Sequence, residues 1–112
     1  MSHIVYTSVS SDSEVDTVVE WLTQAKDADK ECVITVIRDG CRYCDKFIGH
    51  IEEWQLERCV ILVKMNNNNL RQKFYSRSKS LDPTCEATVP SVWVCGRWQS
   101  AGSDTTRETL DR

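Results

Sequence analysis

Two cysteines separated by two residues, Cys41 and Cys44, lie where a buried strand is followed by a helix, and this junction constrains the fold more than any other feature. The segment 32–37 before them is a β-branched apolar run, which is typical of a buried strand. Apolar residues after them recur at helical spacing as far as Trp54, so we expect a helix to begin at or near Cys44. Unpaired backbone N–H groups and the helix dipole favour an anionic thiolate at such a helix start. A C-x-x-C pair in this position therefore indicates thiol–disulfide exchange.

Two other interpretations of the pair remain open at this point. Zinc sites also use C-x-x-C, but they need a second pair of ligands at short spacing. His3 and His50 form no such pair, and the remaining cysteines occur singly, at Cys32, Cys59, Cys85 and Cys95. A chance pair of inert thiols is the third interpretation. The strand–helix context favours the redox interpretation over both.

Composition limits the class of protein. A chain of 112 residues predicts one domain, 1–112, and a net charge of −3 argues against a general nucleic-acid partner. The first residues do not resemble a secretory signal, and no apolar run approaches the roughly 18 residues that span a bilayer. We therefore expect a soluble, cytoplasmic, monomeric protein without a membrane partner, in a compartment that keeps most thiols reduced.

The hydrophobic pattern predicts the order β-α-β-α-β-α-β-β-α. In chain order the elements are strand 4–7, helix 11–26, strand 32–37, a helix from the C-x-x-C pair to about 57, strand 59–65, helix 70–79, strand 91–95, strand 98–99 and a helix from about 104. Ser11 and Glu14 fit a capping box at the first helix start. Strands 32–37 and 59–65 are joined through a helix, which predicts a parallel, right-handed crossover.

The motifs around this frame resemble a known family. The order of elements and the cysteine pair look like the thioredoxin fold, an α/β fold with a central mixed sheet flanked by helices. In detail, Cys41-Arg42-Tyr43-Cys44 is similar to the glutaredoxin C-P-Y-C motif, and Thr88-Val89-Pro90 matches the glutaredoxin T-V-P. Gly102-Ser103-Asp104 resembles the end of the glutaredoxin G-G-[C/S]-x-D stretch. The resemblance covers about residues 32 to 112, and it implies that the Val89–Pro90 peptide bond is cis.

The resemblance also implies roles for individual residues. Cys41 would be the nucleophile, for which we expect an exposed thiol, and Cys44 would be the resolving thiol. Substrate-binding roles would fall to Arg38, Tyr43, Arg71, Thr88, Val89, Pro90, Ser103 and Asp104. Among these, the two arginines would hold the glycine carboxylate of glutathione, and Ser103 and Asp104 its γ-glutamyl end.

The chain departs from the glutaredoxin pattern at three places. Arg42 replaces the proline between the cysteines, which is expected to change the redox potential. Ser100 and Ala101 add Cβ atoms where glutaredoxins have glycine. Extra residues at 81–86 shift the link into Pro90.

The combined expectation is an oxidoreductase that reduces protein or glutathione mixed disulfides with the Cys41/Cys44 dithiol. Glutathione would regenerate the dithiol, and no cofactor would be bound. The alternatives are a thioredoxin-like reductase that is independent of glutathione and is served by a thioredoxin reductase, and a non-enzymatic adaptor with the same fold. The sequence further predicts inert buried thiols at Cys32, Cys59 and Cys95, and an oxidation-prone thiol at Cys85, which lies in a loop.

Overall fold

The computed structural model describes residues 3–102 and 105–111, and its elements follow the predicted order. They are β1 (His3–Ser8), α1 (Asp12–Asp27), β2 (Cys32–Ile37), α2 (Arg42–Trp54), β3 (Cys59–Lys64), α3 (Asn68–Leu81), β4 (Ser91–Val94), β5 (Arg97–Ala101) and α4 (Arg107–Asp111). Helix α2 ends three residues earlier than predicted, because Gln55 takes the left-handed conformation with φ 50°. Strand β5 is longer than predicted.

The five strands form one mixed sheet in the order β1-β3-β2-β4-β5. Strands β1, β3 and β2 are parallel, as predicted for β2 and β3, and β4 and β5 are added antiparallel. Ile34 of β2 lies opposite Ile61 of β3 on one side and Trp93 of β4 on the other. The strand that leads into the cysteine pair is therefore the middle strand of the sheet.

Helices cover both faces of this sheet. Alternate residues of β2 point to opposite faces, so Ile34 and Val36 enter one core cluster while Val33 and Ile37 enter the other. The first cluster includes Val15, Val18 and Leu22 of α1 and Phe74 of α3, together with Trp93 of β4. The second includes the buried residues of α2 together with Leu110 of α4. Helix α2, which carries Cys44, is thus anchored by its apolar side.

The predicted capping box is present at the start of α1. Ser11 Oγ accepts a hydrogen bond from the backbone N–H of Glu14 at 3.3 Å, and its hydroxyl donates to Glu14 Oε1 at 3.0 Å. Glu14 also accepts from the backbone N–H of Ser10 at 3.1 Å. These bonds satisfy N–H groups that would otherwise lack a partner at the helix start.

The turn between β4 and β5 packs closely against α1 at Gly96. This residue has φ +74°, and a Cβ atom there would lie 2.3 Å from the carbonyl oxygen of Leu22. Only glycine fits, because both the conformation and the space exclude a side chain. The antiparallel strands are thereby held against the first core cluster.

Candidate dithiol site

Cys41 caps the N-terminus of α2 with its own sulfur. Its backbone is extended, with φ −103° and ψ 109°, and the helix begins at the next residue. The backbone N–H of Cys44 donates to Cys41 Sγ at 3.1 Å, and that of Asp45 donates to the Cys41 carbonyl at 3.1 Å. The first turn of the helix therefore directs an N–H group at one sulfur, which stabilises negative charge on that sulfur.

Both cysteines are buried, which corrects the prediction of an exposed Cys41 thiol. Cys41 is 3% exposed and Cys44 is 1% exposed. Their side chains belong to the second core cluster, together with Ile37 and Phe47. The helix starts so soon after β2 that its first turn lies against the sheet, and the outward position is taken by Tyr43, which is 58% exposed.

The second cysteine is held in its protonated form. Burial raises the pKa of Cys44 to about 12, and hydrogen bonding with Cys41 acts in the same direction. A hydrogen bond with the backbone of Arg38 opposes this shift only in part. All six cysteines are free thiols, so the pair is in its dithiol form. At neutral pH Cys44 is therefore a thiol beside a sulfur that accepts hydrogen bonds.

The segment before β4 lies next to this pair. The Val89–Pro90 peptide bond is cis, as predicted. Val89 packs against both core clusters, including the one that contains the two cysteines. The backbone N–H of Gly102 donates to the Pro90 carbonyl at 2.7 Å, and a Cβ atom at Gly102 would lie 2.2 Å from Pro90 Cγ. The proline is thus held against the end of β5 by Gly102, and a Cβ atom at Gly102 would also lie 3.3 Å from Phe47 Cδ1 of α2.

Tyr75 is a residue of this region that the sequence did not reveal. Its hydroxyl donates to the Thr88 carbonyl at 2.8 Å, which ties α3 to the segment before Pro90. Burial raises the pKa of Tyr75 to about 12, so the hydroxyl keeps the proton that it donates. Its position beside Phe74 in α3 predicts burial, but nothing local in the sequence indicates a partner 13 residues away.

The two arginines proposed to bind a carboxylate differ in their surroundings. Arg38 is half-buried beside the cysteines, and its Nη1 donates to the neighbouring Asp39 carbonyl at 3.2 Å. Arg71 Nη1 donates to the carbonyls of Met65 and Asn66, at 2.7 and 2.9 Å. Its Nη2 donates to Asn68 Oδ1 at 3.3 Å. The guanidinium of Arg71 therefore holds the loop between β3 and α3.

A polar bridge joins the loop before Cys41 to the end of β3. The backbone N–H of Asp39 donates to Asn66 Oδ1 at 2.8 Å, and Asn66 Nδ2 donates back to Asp39 Oδ2 at 2.8 Å. Lys64 Nζ lies 3.2 Å from Asp39 Oδ1. The Asn66 and Lys64 contacts lower the pKa of the Asp39 carboxyl below its usual value. Asn66 lies between a predicted strand and a predicted helix, and the sequence did not reveal this bridge.

A recess of about 230 Å³ lies between α2 and two residues that follow β5, Gly102 and Thr105. Tyr43, His50, Trp54 and Thr105 are among its lining residues. The rings of His50 and Trp54 stack with their centroids 5.3 Å apart. The recess lies next to the cysteine motif and offers an aromatic wall to a bound group.

Two predicted site residues, Ser103 and Asp104, lie outside the described residues. Within residues 3–102 and 105–111, no group of three or more His, Cys, Asp or Glu side chains is arranged to hold a metal ion. The described helices also include none that is long and apolar enough to cross a membrane.

The other four cysteines are placed differently from the prediction. Cys85, expected to be an oxidation-prone loop thiol, is 3% exposed, and burial raises its pKa to about 11. Cys32, Cys59 and Cys95 were expected to be buried, but each is partly exposed. These three lie at strand ends, where core side chains cover them only in part. The loop of Cys85, in contrast, packs into the first core cluster.

No protein-family model matches the chain, and no curated protein matches it. The function of the chain is therefore inferred from its own residues and their geometry.

Proposed function

We propose that the chain has a thioredoxin-like fold and is a glutaredoxin-like dithiol–disulfide oxidoreductase, which reduces protein or glutathione mixed disulfides. The observation that carries the proposal is the asymmetry of the pair. Cys41 Sγ accepts the Cys44 N–H at the start of α2, whereas the Cys44 thiol has a pKa raised to about 12. A nucleophilic sulfur and a protonated partner are what sequential disulfide exchange requires.

The sheet supports the fold assignment. Its order is β1-β3-β2-β4-β5, with three parallel strands and two antiparallel ones, and helices pack on both faces. The cysteine pair follows the middle strand, and Pro90 precedes the strand antiparallel to it. This arrangement brings the two motifs to one end of the sheet, although Pro90 follows Cys44 by 46 positions in the sequence.

The exchange would take place in two steps. In the first, the Cys41 thiolate attacks one sulfur of the substrate disulfide, the substrate S–S bond breaks, and the leaving sulfur takes up a proton. In the second, Cys44 loses its proton and attacks Cys41 Sγ, which releases the second reduced sulfur and leaves a Cys41–Cys44 disulfide. The raised pKa of Cys44 keeps this thiol from competing in the first step. Two electrons pass from the dithiol to the substrate.

The neighbouring segment would position the substrate. Val89 lies in the segment just before β4 and contacts the cluster that holds both cysteines. Its backbone would pair with an extended substrate, as an added strand does. Because Cys41 is only 3% exposed, we expect side chains around the turn to move when a protein disulfide reaches its sulfur.

Two versions of this function differ in the reductant that regenerates the Cys41/Cys44 dithiol. Arg38, half-buried next to the pair, supports glutathione as the reductant, because its cation complements a carboxylate. Arg71 favours the second candidate, a glutathione-independent protein disulfide reductase. Both N–H groups of its Nη1 are directed at the carbonyls of Met65 and Asn66 and are not free for a ligand carboxylate.

Three single variants test the proposal: Cys41→Ser, Cys44→Ser and, as a control, Cys59→Ser at the far end of the sheet. The wild type and the control should accelerate the reduction of insulin by dithiothreitol, and Cys41→Ser should not. If Cys41→Ser is as active as the wild type, the proposed function is wrong.

Cys44→Ser then identifies the reductant. With glutathione as the reductant, this variant should lose insulin reduction but still reduce a glutathionylated peptide, because one thiol is sufficient for that exchange. If it is inactive with glutathione while the wild type accepts electrons from a thioredoxin reductase, the glutathione-independent candidate is correct.

A further inference from the structure

Three partly exposed cysteines gather at the end of the sheet opposite the dithiol. Cys32 is the first residue of β2, Cys59 is the first residue of β3, and Cys95 follows β4. Cys32 and Cys59 are direct partners in the register of the two parallel strands. The backbone N–H of Cys95 donates to the Cys32 carbonyl at 3.0 Å. Residues far apart in sequence thus place their thiols around one strand end.

Cys32 and Cys59 share a face of the sheet. Two residues further along each strand, Ile34 and Ile61 contact the same core cluster, and side chains two apart in a strand point the same way. Neighbouring strands lie about 4.8 Å apart, within the range of about 4.4–6.8 Å between Cα atoms that a disulfide allows. The spacing of the two Cα atoms therefore allows a disulfide between Cys32 and Cys59.

Cys95 is the poorer partner for Cys32. The ladder between β2 and β4 ends at the pair Val33 and Val94, one residue before Cys95. Cys95 has φ 54°, a left-handed conformation that removes its side chain from the direction of the strand. The strand register therefore favours Cys59 over Cys95 as the disulfide partner of Cys32.

This pair is separate from the dithiol. Cys32 begins β2, whereas Cys41 lies beyond the other end of the same strand. Six strand residues at about 3.3 Å each place roughly 16 Å or more between the two sites. Direct exchange between them is excluded within one folded molecule, so oxidation of the far pair needs a separate oxidant molecule.

We propose that Cys32 and Cys59 form a second redox site, a cross-strand dithiol that a small oxidised disulfide such as oxidised glutathione converts into an intramolecular disulfide. In the first step the Cys59 thiolate attacks one sulfur of oxidised glutathione, the S–S bond breaks, and one glutathione leaves and takes up a proton. In the second, the Cys32 thiolate attacks Cys59 Sγ and releases the other glutathione. The protein loses two electrons and two protons, and one oxidised glutathione becomes two reduced molecules.

The surroundings of Cys32 fit its role as the resolving thiol and the approach of oxidised glutathione. Burial raises the pKa of Cys32, and the neighbouring Cys59 and Cys95 sulfurs act in the same direction. The raised pKa lowers the thiolate fraction of Cys32, so this thiol attacks oxidised glutathione slowly and suits the second, resolving step. Cys32 also lines a groove of about 170 Å³ between α1 and the sheet, beside Trp21 and Lys30. The Lys30 ammonium provides a cation for a carboxylate of the entering disulfide.

The test is disulfide mapping after oxidation of the folded protein. Trypsin places Cys32 in peptide 31–38 and Cys59 in peptide 59–64, while Cys85 and Cys95 share peptide 80–97. Wild type and Cys41→Ser, both fully reduced, are incubated with oxidised glutathione, blocked with iodoacetamide while folded, digested and analysed by mass spectrometry. In both proteins we expect peptides 31–38 and 59–64 to be joined by a disulfide. The mass of the joined species should equal the sum of the two peptide masses minus two hydrogens. Joining in Cys41→Ser shows that the site does not depend on the proposed function.

Two variants sharpen the assignment. Cys32→Ser should leave Cys59 as a stable glutathione adduct, whereas Cys95→Ser should preserve the joined peptides. In urea the pairing should lose its preference, because it depends on the folded register. The proposal is overturned if peptide 31–38 is joined to 80–97 instead. It is also overturned if Cys32 and Cys59 are recovered as alkylated thiols under conditions that fully oxidise Cys41 and Cys44 in the wild type.

Discussion

Replacing Gly102 by alanine is the most direct test of how Pro90 is held beside the dithiol. A Cβ atom at this position would lie 2.2 Å from Pro90 Cγ and 3.3 Å from Phe47 Cδ1. Carbon atoms in contact normally stay about 3.5–4.0 Å apart, so Pro90 and Gly102 must separate by more than about 1 Å. The 2.7 Å hydrogen bond between the Gly102 N–H and the Pro90 carbonyl resists that separation.

Two effects of different size should follow. Overpacking of this kind costs about 1–3 kcal/mol of unfolding free energy. Catalysis should suffer more, because displacing a substrate-positioning group by about 1 Å reduces efficiency by about 100-fold. Gly102→Ala should therefore lose about two orders of magnitude in kcat/KM for disulfide reduction while remaining folded at room temperature.

The matched control is Gly49→Ala in the helix of the dithiol. Gly49 is exposed, and a Cβ atom there would meet no atom within 4 Å. Alanine should stabilise this helix by about 0.5–1 kcal/mol and leave kcat/KM unchanged. Urea unfolding and initial rates of insulin reduction measure the two quantities for both variants. If Gly102→Ala keeps wild-type activity, or if Gly49→Ala loses as much, the proposed positioning of Pro90 is refuted.

Three further predictions concern other parts of the structure. Tyr75→Phe removes the donor to the Thr88 carbonyl and should lower the unfolding free energy, measured in urea, by about 0.5–1.5 kcal/mol. It should also raise KM for a protein disulfide, and an unchanged KM would contradict the positioning role. Ser11→Ala removes the cap of α1 and should lower stability by about 0.5–2 kcal/mol at unchanged kcat/KM, so a loss of activity without a loss of stability would contradict it. Burial raises the pKa values of Cys44 and Cys85 from 9.0 to about 12 and 11. The contribution of these two protonated thiols to the unfolding free energy is therefore fully present below about pH 9 and is lost as the pH rises above it. The loss should reach up to about 1.4 kcal/mol per pH unit for each group, and a flat urea midpoint between pH 8 and 10.5 in reducing buffer would disprove this.

The sequence by itself determined the elements and the position of the dithiol. Periods of two and 3.6 residues place β2 and α2 on either side of the cysteine pair, because side-chain direction within one element depends only on neighbouring residues. The cap at Ser11 is likewise local, since donor and acceptor lie three residues apart. The parallel pairing of β2 with β3 follows from the helix between them. These features need no knowledge of how distant segments meet.

Only the tertiary structure decided which atoms contact one another at the site. The burial of Cys41 depends on how α2 lies against the sheet, and the bonds of Arg71 depend on where the loop after β3 presents its carbonyls. The contact of Tyr75 with Thr88 and the pairing of Cys32 with Cys59 likewise join residues from different elements. Strand order and register set these contacts, and both arise from packing the whole chain. A pattern within any single segment therefore cannot specify them.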